Sequence, residues 1–495
     1  MGEASGHSNT PLDFTNSQLR DRLAEIDFDI EELQAKIQRL QTARKPIVDA
    51  LDAIVYPILT LPTEIISEIF KQHLNHIFDT QLEENQLPLV NLRHAKSAGP
   101  LFLSHVCRAW RCIAVNMPSL WCRVREDSFL ADGKLLTCWL QRAGGQMLHL
   151  DLGPDPTQTT RLLPIVAPYS PRWRTFKCSL RHPISIPIDT VSGRILLLRD
   201  LDIRWDGPGS RDLEMTPITA FSDAPELRNV ELHHFPPQRI LLPWAQLTHL
   251  ILHGQNFADG IEALRLTPNL EELCIDLHSP PDVAPKSVTL NHVQKLVLPD
   301  EYEWVADLLP YITLPRLDTL DITSKYAEDA DAEPLITLLQ RSHCALRSIS
   351  LHSNYEFAIS ALDGTPGSLG TISIRPMHWT SRELAQFFTR LTSDSTFLPK
   401  LRCLEVLQCT MVIPYTELVE MLSFRRCDRG DNETRIESFR LERSAGVADK
   451  VPSAAVEDKL RSLMDDGLDI RIKRLEKSKG LPFNNNDDSE DSDEE

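Results

Sequence analysis

One six-residue pattern, apolar-x-x-apolar-x-apolar, recurs along most of this chain and limits the ways it can fold. It occurs as MLHLDL from residue 147, then WRTFKC (173), LRDLDI (198), LRNVEL (227), LTHLIL (247) and LEELCI (270). It continues as VQKLVL (293), LDTLDI (317), LRSISL (346), LGTISI (369), LRCLEV (401) and IESFRL (436). A single occurrence carries no information, because apolar residues are common. Twelve occurrences at intervals of 20 to 35 residues predict a repeat array.

Each unit reads as a turn followed by a short strand. The first apolar residue anchors the turn, and the fourth and sixth fall on one side of the strand because strand side chains alternate. Proline often stands just upstream, as in APELRNVEL, TPNLEELCI, LPRLDTLDI and LPKLRCLEV. There it steers the chain into the strand without breaking a helix. Several connecting stretches have helical spacing, for example Leu335, Leu338 and Leu339, or Leu384, Phe387, Phe388 and Leu391. One strand and one helix cannot bury an apolar face alone, but stacked copies can. The expected class is α/β, with residues 126–475 forming a curved solenoid around a parallel sheet.

These units resemble the leucine-rich-repeat family, in degenerate form. The family's consensus asparagine after the strand is absent, and Phe235 takes its place in the unit at 227. The resemblance places positions three, five and seven of each unit on the concave face. The polar side chains so placed are substrate-binding candidates: Glu231, His233, His249, His253, Asp276, Asp321, His352 and Arg375. A merely solvated sheet face is the alternative for each of them.

The N-terminal quarter has a different pattern. Leu19, Leu23, Ile26, Ile30, Leu33, Ile37 and Leu40 alternate spacings of four and three, an a/d seam of three heptads. A helix over 16–46 is expected, capped by Ser17 and ended by Pro46. Three heptads are marginal alone, so the seam needs a partner: the next helix of the same chain, or a coiled coil through Leu19–Leu40. Residues 60–74, TLPTEIISEIFKQHL, then read as an amphipathic helix with Pro62 at its first position and Glu64 in its first turn. Residues 75–100 are polar and aperiodic and read as a loop with at most a turn of helix. In LFLSHVCRAWRCIAVNMPSLW, Leu103, Val106, Cys107, Trp110, Ile113 and Ala114 mark a second amphipathic helix, stopped at Pro118.

Together, L-P-x-E-I…I-F, V-C-R-x-W and P-x-L-W resemble an F-box within a domain spanning 47–125, here with about 26 residues inserted between its halves. A heptad helix before it and leucine-rich repeats after it resemble fungal F-box-like proteins. The resemblance implies a non-enzymatic substrate receptor of an SCF-type cullin ubiquitin ligase. It implies that the Skp-type adaptor docks on Leu61, Pro62, Ile65, Ile66, Ile69, Phe70, Leu103, Val106, Cys107 and Trp110, while the repeats hold a protein substrate. The rival reading is a repeat scaffold, dimerised by the heptad helix, with no ligase role.

Composition narrows the partners. The formal charge of −19 argues against a nucleic-acid or anionic-membrane surface, which needs clustered Lys and Arg. Ten cysteines without a C-x-x-C pair suit reduced, buried thiols and a cytoplasmic or nuclear location. No apolar run has the length of a membrane span, and the N-terminus lacks a signal peptide's regions. Gly2 lacks the Ser or Thr expected at position six of a myristoylation motif. Residues 1–15 and the acidic tail 476–495, with Ser489 and Ser492 as acidophilic-kinase candidates, read as disordered. No G-x-S-x-G, Walker A or H-E-x-x-H motif occurs, and no cofactor is expected. His249 and His253, four apart in one strand, should stand about 13 Å apart at about 3.3 Å per residue, too far to share an ion. His233 and His234 should face opposite ways. His73 and His76 lack an acidic or thiol partner nearby, so a metal site is not expected.

Overall fold

The computed structural model describes residues 16–52, 57–84, 99–125, 133–181, 188–206, 217–277, 284–299, 305–323, 332–365, 367–426, 435–444 and 452–474. The expectations for 1–15, 476–495, Ser489, Ser492 and most of the 75–100 insertion lie outside them. The chain divides into two compact units, Met1–Leu120 and Trp121–Glu495.

The second unit is mixed α/β and is built on one long parallel sheet. Fourteen strands stand side by side, from Arg123–Arg125 and Leu148–Asp151 through to Ser438–Arg443 and Asp469–Arg474. Chain order and spatial order coincide, except that a short pair, Val288–Thr289 with Ile312–Thr313, forms its own parallel sheet. Parallel pairing demands a crossover of a dozen or more residues, which the 20- to 35-residue interval supplies.

Register explains why the pattern repeats. Val124, Leu150, Phe176, Leu201, Val230, Leu250 and Leu273 are successive cross-strand partners. The row continues through Leu296, Leu320, Ile349, Ile372, Leu404, Phe439 and Ile470. Every member is buried. A one-residue slip would turn the whole row to solvent, so burial fixes the register. The turn anchors, such as Leu198, Leu227, Leu247 and Leu346, are buried as well.

Connecting helices close this core. Phe257–Leu266, Glu333–Ser342, Ser381–Ser393 and Tyr415–Arg426 each bury an apolar stripe, including the predicted Leu335, Leu338 and Leu339, and Leu384, Phe387, Phe388 and Leu391. Two of these helices start with a side-chain cap: Asn256 accepts from Asp259 N–H, and Thr380 and Glu383 form a reciprocal capping box. Arg425 is buried and donates to the carbonyls of Leu391 (2.7 Å), Phe397 (2.7 Å) and Leu398 (2.9 Å). Its guanidinium thereby satisfies carbonyls at the end of the preceding helix and in the loop after it. Phe235, standing in the asparagine position of the repeat consensus, is buried edge-to-face against Trp205, with centroids 5.7 Å apart.

Two strands lack the twelve-fold pattern. Arg123–Arg125 has only Val124 to bury, and it places the start of the sheet inside the segment 47–125. Asp469–Arg474 buries Ile470, but Gly467, at φ +86°, stands where the other units have an apolar anchor.

In the first unit the heptad segment forms one helix, Asn16–Asp52, with Pro46 inside it instead of at its end. Proline removes the bond from position 46 to the carbonyl of Thr42, a loss tolerated where that carbonyl meets water. The next helix is longer than expected, Thr63–Glu84 instead of ending at residue 74. Pro62 lies just before it, its carbonyl accepting from Ile66 N–H at 3.2 Å. The second amphipathic helix expected in this unit is broken in two, Pro100–Val106 and Arg108–Val115. Cys107 is extended between them, φ −155°, and its Sγ accepts from Trp110 N–H at 3.4 Å as an N-cap.

Candidate functional site

The segment from Leu61 through the helix Thr63–Glu84 carries two apolar stripes. Ile66, Phe70 and Leu74, at steps of four, are buried. Leu61, Ile65 and Ile69, also at steps of four, face solvent with 38%, 49% and 41% of their surface exposed. Phe70 packs edge-to-face on the half-buried Trp110, ring centroids 4.8 Å apart. Leu103 is buried, whereas Val106 (51%) and Phe102 (45%) are exposed. Arg111 Nε donates to Ser104 O at 2.8 Å and ties the two halves of the broken helix together.

The ten residues expected to bind an adaptor therefore divide. Ile66, Phe70 and Leu103 belong to the core, Cys107 and Trp110 are half-buried, and Leu61, Pro62, Ile65, Ile69 and Val106 are exposed. Phe102 adds to the exposed group. Its signal was present in the sequence, since Phe102 stands one helical turn before Val106.

The heptad seam is exposed throughout: Leu19, Leu23, Ile26, Ile30, Leu33, Ile37 and Leu40 are all at least 44% accessible. The expected alternative, an intramolecular hairpin over this seam, is not formed by the described residues.

On the sheet, side chains opposite the buried row form a polar face. Cross-strand ion pairs lace its early strands: Arg125–Asp151 (3.6 Å), Lys177–Asp202 (3.1 Å), and Lys295–Glu272 (3.5 Å). Thr319, Ser348 and Thr371 are register partners, so a hydroxyl-lined stretch follows. Asp321 stands beside Ser350, and His352 beside Arg375. His249 bonds Thr248 at 2.8 Å and lies 3.7 Å from Glu272. Asp276 does not belong to this wet face. It is fully buried, next to the point where the register shifts between Leu252 and Gln255.

The structure brings Glu231, His233 and His253 together. His233 and His253 are register partners on neighbouring strands, their rings stacked 4.7 Å apart and 18° from parallel. His233 Nε2–H donates to Glu231 Oε1 at 2.7 Å, and His253 Nε2 is 3.9 Å from the same oxygen. Asp202 Oδ1 is 3.7 Å from His233 Nε2. Burial disfavours the charge of Glu231, but the His233 hydrogen bond, the ring's charge and Lys177 outweigh it and hold the carboxyl below its usual range. Burial and the Glu231 charge push Asp202 the other way, against the pull of Lys177. The along-strand distance separates His249 from His253 and says nothing of His233 and His253, which lie on neighbouring strands. The relevant distance is across strands, which lie about 4.8 Å from one another. The fifth positions of WRTFKC and LRDLDI, Lys177 and Asp202, were the available signal for the rest of the cluster.

Among the described residues, no helix is long and apolar enough to cross a membrane. The sequence matches no protein-family model and no curated protein.

Proposed function

We propose that the chain is a substrate receptor of an SCF-type cullin ubiquitin ligase, acting in the cytoplasm or nucleus. In this reading the F-box-like helices dock the Skp-type adaptor, and a leucine-rich-repeat-like solenoid presents the polar sheet face to a protein substrate. The observation that carries the reading is the exposed row Leu61, Ile65 and Ile69, with Phe102 and Val106, beside a packed Ile66–Phe70–Trp110 interior. One helix surface here has more apolar side chains than its own neighbours cover. Covering them contributes about 25 cal/mol per Å² of apolar surface, less the cost of association. The sequential parallel sheet supports the solenoid reading, since each strand uses only its neighbours for burial.

Such a receptor does no bond chemistry itself. It raises the effective concentration of a substrate lysine near the ligase's transfer enzyme. The test is co-purification of the full chain with the Skp-type adaptor. The proposal expects a stoichiometric complex that Ile69→Asp abolishes, and it fails if Ile69→Asp and the parent chain bind alike.

The exposed heptad seam favours a second reading, a scaffold that pairs through Leu19–Leu40 without adaptor or ligase. Sedimentation of the full chain separates the two: a dimer that dissociates with Ile30→Lys, and no adaptor complex, would select the scaffold.

A further inference from the structure

We infer that Glu231, His233 and His253 form a binding site for one divalent transition-metal ion of the zinc class, set on the polar face of the sheet. The inference does not rest on the adaptor reading, because it concerns only the parallel-sheet unit. A carboxylate oxygen of Glu231 and a nitrogen from each imidazole lie within 4.8 Å of one another. Zinc with ligands at about 2.0–2.1 Å in a tetrahedron needs donor atoms about 3.3 Å apart. The separations of 2.7 Å (His233 Nε2 to Glu231 Oε1) and 3.9 Å (His253 Nε2 to Glu231 Oε1) bracket that value. The rings are stacked 18° from parallel, so at least one must turn until both planes meet at the ion, while the sheet holds the backbone positions in place.

The donor set selects the ion. Two imidazoles and one carboxylate suit zinc and its neighbours, whereas magnesium and calcium prefer oxygen alone. The fourth position falls to water or to Asp202, whose Oδ1 lies 3.7 Å from His233 Nε2 while its Oδ2 accepts from Lys177 Nζ at 3.1 Å. Coordination needs a lone pair on each Nε2. For His233, the proton now donated to Glu231 must move to Nδ1 or leave to solvent, and Glu231 Oε1 then turns from hydrogen-bond acceptor to metal ligand. The two rings stand on adjacent strands beside one carboxylate oxygen, so turning one ring brings all three donors to a common centre. The three residues are partly buried, which limits competition from water.

The test uses the full-length chain, stripped of metal with a chelator and titrated with zinc chloride by calorimetry. One zinc per chain is expected, with magnesium and calcium giving no signal. The double variant His233→Gln/His253→Gln should weaken binding by at least about tenfold, since even supporting residues of metal sites cost that much. Glu231→Gln should weaken it too. His249→Gln, on the same face but outside the trio, should leave it unchanged. Zinc should raise the melting temperature of the parent chain and of His249→Gln, but not of the double variant. Should the double variant itself melt early, Glu231→Gln, which keeps side-chain shape, decides the matter. Absence of stoichiometric zinc binding by the parent chain, or equal affinity in parent and variants, overturns the inference.

Discussion

The two units place the same kind of residue under opposite conditions. In the sheet unit, Leu and Ile recur with a strand period and are sealed: Leu250, Leu273, Leu296 and Leu320 have essentially no accessible surface. In the helical unit, Leu and Ile recur just as regularly with a helix period, and Leu23, Leu33, Ile65 and Ile69 stay open. The difference lies in what stands opposite. Each strand has the next repeat in register, so every apolar residue meets its counterpart 20 to 35 residues away. The heptad helix and the outer stripe of Thr63–Glu84 have no repeat to lie against. Regular apolar spacing therefore specifies which face is sticky, while the presence of a neighbouring copy decides whether that face is sealed or left open.

Matched truncations break or sharpen this contrast most strongly. Leu351→Ala, in the sealed row of sixth positions, should cost about 2–5 kcal/mol of stability by cavity formation. Leu33→Ala, equally conservative in the seam, should change the stability of the monomer by less than about 0.5 kcal/mol. Urea unfolding of both variants at low protein concentration gives the comparison. Equal losses would erase the distinction between the two regions.

A second test concerns the edge of the repeat grammar. Gly254 sits at φ +61°, and a Cβ there would lie 2.1 Å from the ring of His234, itself in a left-handed conformation at φ 53°. Gly254→Ala should cost about 1–3 kcal/mol for the strained backbone, read as a lowered melting temperature. It should also expose Asp276, since the register shift at this point accompanies its burial. An unchanged melt would show that the strand absorbs the methyl group by moving the histidine.

The smallest effect is chemical. Cys112, in the helical unit, is exposed, against the expectation of buried thiols, whereas Cys274 is half-buried in the sheet and burial pushes its thiol up to about 12. Cys178 is driven higher still by burial. At pH 8 iodoacetamide should modify Cys112 first and leave Cys178 and Cys274 nearly untouched, because the thiolate is the reactive form. Peptide mass spectrometry after timed quenching reads the order.

The sheet was largely legible in the sequence because one local pattern repeats: the fourth and sixth positions found the buried rows and the fifth found Glu231. Its ends were not, since Arg123–Arg125 offers a single valine and Gly467 hides the last turn anchor. The helical unit was legible in kind but not in detail. Pro46 did not stop a solvent-exposed helix, and Cys107 broke another whose apolar period runs through it. The histidine cluster was invisible for a different reason: His233 and His253 are twenty residues apart in the chain, and only the register of two neighbouring strands makes them adjacent.

The central claim, that apolar residues of the sheet serve the fold while those of the helical unit serve a partner, is tested most directly by a crossed measurement. Melting temperature and affinity for the Skp-type adaptor are measured together for the parent chain, Ile69→Asp and Leu351→Ala, the last below its melting transition. The account predicts that Ile69→Asp keeps the parent melting temperature and loses adaptor affinity by at least about 30-fold, the loss of a binding hot spot. It predicts that Leu351→Ala melts earlier yet binds the adaptor as the parent does. An Ile69→Asp chain that melts as early as Leu351→Ala, or that binds the adaptor undiminished, would contradict it.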